Sequence, residues 1–110
     1  MAYNEAVAQR VRDALTQYPE VTEKRMFGGL AFLLRGHMCC GIQGNDLMVR
    51  VGPQEYEATL SQPHTRKMDF TGKPLKGFVY VSPAGFGAKK NLEAWIEKAT
   101  EFVLSLPPKQ

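Results

Sequence analysis

The chain has 110 residues, 44% of them apolar and 23% charged, and a net charge of +3. That length suits one domain with its own core, and the composition excludes disordered, collagen-like and low-complexity classes. The longest apolar run, Gly28 to Leu34, stops at Arg35, well short of the ~20 residues that cross a bilayer.

Positions 4–17 predict a helix, because Val7, Val11, Ala14, Leu15 and Tyr18 recur at helical spacing. Asn4 suits its N-cap and Pro19 its stop. Positions 1–10 lack the basic-then-apolar pattern of a secretory leader, so a cytoplasmic location is expected. Positions 21–24 read as a linker. Three strands are expected next, over 25–34, 38–43 and 46–51, and the turns between them fix their faces.

A three-residue loop, Leu34-Arg35-Gly36, with Gly36 left-handed, pairs Phe32 with Met38 and Leu30 with Cys40. A two-residue turn at Gly44-Asn45 pairs Ile42 with Leu47, Cys40 with Val49 and Met38 with Val51. One face then gathers Leu30, Phe32, Met38, Cys40, Ile42, Leu47, Val49 and Val51. A two-residue first loop would slip the register by one and scatter them. The opposite face carries Phe27, Gly29, Ala31, Leu33, Cys39, Gly41, Met48 and Arg50. Antiparallel sheets usually leave one face to water. A partly apolar face there predicts a contact surface around Phe27, Ala31, Leu33, Met48 and Arg50. A two-fold homodimer is the simplest way to cover it.

Pro53 opens a short helix with Tyr56 and Leu60 inward, ending near Gln62-Pro63. Positions 66–70 and 75–81 read as two strands around the turn Thr71-Gly72-Lys73-Pro74. A loop over 82–87 leads to a last helix over 89–106. Its inward stripe is Leu92, Trp95, Ile96, Ala99, Phe102, Val103 and Leu106, with Trp95 the largest core anchor. The order α-β-β-β-α-β-β-α describes an α+β domain of two layers. Its antiparallel sheet has about five strands, with helices packed on one face.

Chemistry is sparse. His37, Cys39 and Cys40 are close in sequence, but neighbouring residues of a strand diverge, and zinc sites want spaced, convergent pairs. No metal or other cofactor is expected. The two cysteines read as free thiols of a reducing compartment. Cys40 faces the core. Cys39 faces outward opposite Arg50, a cation that makes it a candidate reactive thiol and thiol-based sensor. Gly28-Gly29 lacks phosphate-loop spacing and marks a bulge or a close backbone approach. There is no G-x-S-x-G, and Asp46 and Asp69 sit at turns, so the chain does not read as an enzyme. Basic residues crowd positions 66–90, where only Asp69 is acidic. Arg25, Arg35, Arg66, Lys67, Lys73 and Lys76 form a candidate basic patch, with Phe27 and Tyr80 as stacking surfaces for nucleic acid. No helix carries a dense basic stripe, so nucleic acid is the second choice of partner, behind a protein.

The stretches "VTEKRMFGGLAFLLRGHMCCGI", "DLMVRVGPQEYEATL", "MDFTGKPLKGFVYV" and "LEAWIEKATEFVLSLP" resemble the N-terminal domain of the TfoX/Sxy family. "RMFGG" and "MDFTG" are the most specific parts. The resemblance implies a cytoplasmic bacterial protein related to transcriptional regulators of natural competence. Named members of that family act with other transcription factors at promoters and are not enzymes. It also implies a two-layer α+β fold similar to secretion-chaperone-like domains. Fuller members add a helical C-terminal domain, so this chain is expected to be a stand-alone N-terminal copy. The family supplies no catalytic residues. Its MFGG motif, Met26 to Gly29, reads as structural and close to an interface.

Overall fold

The fold is that of a computed structural model, which describes residues 3–26, 28–68 and 75–107. The first helix, α1 (Glu5–Ala14), begins where the Asn4 side chain accepts hydrogen bonds from the amides of Ala6 and Val7. This satisfies donors that a helix N-terminus leaves unpaired. Its buried residues are Ala8 and Val11, three apart on the stripe expected from periodicity.

Residues 21–24 are not a linker. They belong to β1 (Val21–Met26), which pairs antiparallel with β2 (Gly29–Leu34), so the strand expected over 25–34 is two strands. Met26 pairs with Gly29 across positions 27–28, and Gly28 is left-handed at φ +72°. Gly29 is the close approach: a Cβ there would lie 2.1 Å from the Ile42 carbonyl oxygen. β1 shows no alternation because it is the edge strand of the sheet, and Thr22 to Arg25 are all exposed. Ladder hydrogen bonds hold it without burial, and its charges suit an edge that must not recruit another strand.

The hairpin from β2 to β3 (His37–Gln43) corrects the expected loop. Leu34 pairs with His37, leaving a two-residue turn of Arg35 (φ +54°) and Gly36 (φ +84°). Two left-handed residues are the turn that best matches strand twist. Leu33 then pairs with Met38, but Phe32 pairs with Cys40. Cys39 is an inserted bulge residue. The bulge restores the parity that the short turn would have flipped. Leu30 therefore meets Ile42 rather than Cys40, and Phe32 meets Cys40 rather than Met38. Phe32, Cys40 and Val49 share one core cluster as expected. Met38 does not: it packs on the other side of the sheet.

β3 pairs with β4 (Asp46–Arg50) across Gly44-Asn45 in the expected register, Ile42 with Leu47 and Cys40 with Val49. Met38 and Val51 do not pair. The Val51 amide donates to the Gly77 carbonyl at 2.8 Å, and the Met38 carbonyl accepts from Arg50 Nη1 at 3.3 Å. A short α2 (Tyr56–Leu60) leads to β5 (Thr65–Lys67) and β6 (Phe78–Val81). The expected turn at 71–74, with Lys73, lies outside the described residues, as does Phe27. A 3-10 turn (Pro83–Gly85) precedes α3 (Lys89–Leu104).

The chain is α+β. Among the described residues its antiparallel sheet has six strands in the order β1-β2-β3-β4-β6-β5, one more than expected. The inner core joins Phe32, Leu34, Ile42 and Val49 to Ala8, Val11, Leu92, Ile96 and Val103 of the helices. Burial at this density, at roughly 25 cal/mol per Å² of apolar surface, needs no staple. Among the described residues no helix is long and apolar enough to cross a membrane.

Candidate interaction groove

The outer sheet face is not the open surface expected. Ala31 and Met48 are fully buried, and Leu33 and Arg50 are half-buried. Met48 lies in a second small core with Met68 and Tyr80, against which Met38, Leu75 and Phe78 pack. The Leu75 amide donates to the Met68 carbonyl at 2.8 Å, which draws that segment together over the sheet. Tyr80 donates its hydroxyl hydrogen to Gln43.

Arg50 is a structural cation rather than a presented one. Its guanidinium lies 5.2 Å from the Phe78 ring centroid and 5.4 Å from that of Phe102. Burial pushes its pKa down from the usual value. Cys39 is near Arg50 as expected, but it does not face outward: the bulge turns it into the core, 1% exposed. His37 Nε2 donates to the Pro107 carbonyl at 2.7 Å.

The candidate basic residues do not converge. Arg25 sits on β1 and Arg66 and Lys67 on β5, the two opposite edges of the sheet. Five strand spacings separate them, about 24 Å. Arg66 is paired with Asp46 at 2.6 Å and lies over the Tyr80 ring at 4.7 Å. Arg35, at the β2–β3 turn, lies 3.9 Å from Glu20. Lys76 is exposed in the turn before β6, and Lys73 is outside the described residues.

What the structure does form is a groove of about 1240 Å³ along α3. Helical periodicity builds one wall. Leu92, Ile96, Ala99 and Val103 point into the core, so the neighbouring stripe of Trp95, Lys98 and Phe102 lies on the shoulder of the helix, 3.6 residues per turn. Residues 51–55 between β4 and α2, and Pro63-His64 with Ala84-Gly85, make the other walls. Trp95 is half-buried, and its Nε1 donates to the Gly85 carbonyl at 3.0 Å, which fixes the indole with one face toward the groove. Lys98 reaches across to Glu55 at 3.4 Å. The ionised lining is Glu55, Glu97 and Glu101 against Lys98, three carboxylates to one ammonium. Among the described residues, neither Glu97 nor Glu101 has an ion-pair partner. The site is thus an apolar, aromatic floor with an acidic rim on a basic protein. Trp95 packs against the core, as expected of the largest anchor, but sequence reasoning gives it no second face. The signal it passed over was the width of the α3 stripe, broader than one buried face requires.

The family model described as the TfoX N-terminal domain matches residues 13–103. No curated protein and no solved structure matches the chain.

Proposed function

Because the chain belongs to the TfoX N-terminal domain family, we propose that it is a non-enzymatic regulatory module acting in the cytoplasm through protein–protein contact. This is the role that the likeness to competence regulators implies. The observation that carries it is the α3 groove. Interfaces are anchored by buried aromatic side chains ringed by polar residues, and Trp95 and Phe102 within an acidic rim have that form. The partner that fits is a protein segment with an aromatic or aliphatic anchor flanked by Lys or Arg. Opposite charge at the rim steers such a segment and rejects an acidic one. Arg25 lies at one sheet edge and Arg66 and Lys67 at the other, with Arg66 already paired, which disfavours a tracked phosphate backbone.

Trp95 is the single tryptophan of the chain, so its fluorescence reports on the groove. A tryptophan-free peptide with a Leu-Phe anchor flanked by Lys and Arg should shift that emission saturably, and less at high salt. Reversing both free rim charges, Glu97→Lys with Glu101→Lys, should weaken it by about tenfold or more. If the same peptide with Glu in place of Lys and Arg bound equally well, the reading would be wrong.

A further inference from the structure

Neighbouring side chains of a regular strand go to opposite faces, and the β3 bulge breaks that rule at the two cysteines. Leu33 pairs with Met38 and Phe32 with Cys40, so Cys39 is the extra residue. Met38 packs on the outer cluster. Cys39 and Cys40 both join the inner core with Phe32, each 1% exposed. Both are free thiols. Both residues of a bulge oppose one residue of the partner strand, here Phe32, so the two thiols leave the strand toward the same core. The neighbouring Cys39 and burial push the Cys40 thiol well above its usual value.

We propose that Cys39 and Cys40 form a vicinal dithiol site for a trivalent, thiophilic centre of the organoarsenical class, which bonds both sulfurs at once. A pyramidal trivalent centre takes two sulfurs lying next to each other. A linear Cu(I) ion needs them opposed. Tetrahedral zinc needs four converging ligands, and among the described residues no group of three or more His, Cys, Asp or Glu converges on a metal position. A disulfide needs its sulfurs about 2.05 Å apart at a fixed dihedral, a tighter closure than a bridge through one arsenic atom. With an arylarsenic(III) oxide, two As–S bonds form and the As–O bond breaks. The two thiol protons leave with that oxygen as water. Arsenic stays trivalent, so no oxidant or reductant is consumed. Access is by local opening at the bulge, where Cys39 stands outside the ladders to both β2 and β4, three residues from the turn at Gly36.

The test treats the reduced, native chain with phenylarsine oxide, with thiol counting and intact mass as readouts. The expected product carries one arsenical per chain and no free thiol. A small dithiol releases it and glutathione does not. It forms faster than global unfolding, as measured by exchange of the slowest core amides. Cys39→Ala and Cys40→Ala should each weaken binding about a hundredfold, because one sulfur loses the advantage of the linked pair. Native wild type that keeps both thiols, or reacts only at the rate of global unfolding, overturns the proposal without recourse to any variant. Single-cysteine chains that fold and bind as tightly as wild type overturn it as well.

Discussion

Gly29 shows how little room some positions leave. A methyl group there would sit 2.1 Å from the Ile42 carbonyl oxygen, a backbone atom that cannot swing away. Overpacking in a closed site costs about 1–3 kcal/mol, so Gly29→Ala should destabilise the chain by an amount at the top of that range, read as a lower denaturant midpoint. Glu23 shows the opposite extreme. Arg12 donates to both its oxygens, at 2.6 and 2.9 Å, and this hydrogen bonding holds its carboxyl below the usual range. The folded state therefore binds the proton less tightly than the unfolded one. The pair's stabilisation is complete above the ordinary carboxylate range and is lost as pH falls through the lowered value. Both side chains are about one-third exposed, so the pair is worth less than about 1 kcal/mol. Thermal melts of Glu23→Gln should differ from wild type at neutral pH and converge with it in acid. A difference that grew in acid would contradict the assignment.

The β2–β3 hairpin joins two devices that sequence reasoning treated as one. Hydrophobic alternation correctly required that Phe32, Cys40 and Val49 share a side, and they do. It could not distinguish an odd loop from an even loop followed by a bulge, because both keep the same parity. Only the second agrees with left-handed Arg35 and Gly36 together. Arg35 is strained there, since a side chain on a left-handed residue is disfavoured. Arg35→Asn should stabilise the chain by up to about 1 kcal/mol, read as a higher melting temperature. A loss would mean that the Arg35 side chain, 3.9 Å from Glu20, holds more than its backbone costs. β1 escaped notice for a different reason. Its Thr-Glu-Lys-Arg run buries nothing, and its pairing is written in backbone groups that a hydrophobic pattern does not show. The helices were legible because each buries a stripe: Ala8 and Val11 in α1, and Leu92 to Val103 in α3.

Viewed across both faces of the sheet, the molecule exchanges its expected surface for another. Ala31 and Met48 looked available because no strand beside them supplies a cover. For Met48 the cover comes from Met68, with Leu75 packed on that cluster, both distant in sequence, and periodicity within one hairpin carries no information about it. With that face partly closed, and Arg25 on one sheet edge while Arg66 and Lys67 lie on the other, the proposed contact function falls to the α3 groove. The account predicts that amide NMR shifts, on titrating the basic Leu-Phe peptide into the full chain, will cluster at positions 51–55, 62–64 and 91–105. Perturbations confined to the outer face around Met48 and Tyr80, or to the edge strands β1 and β5, would contradict it.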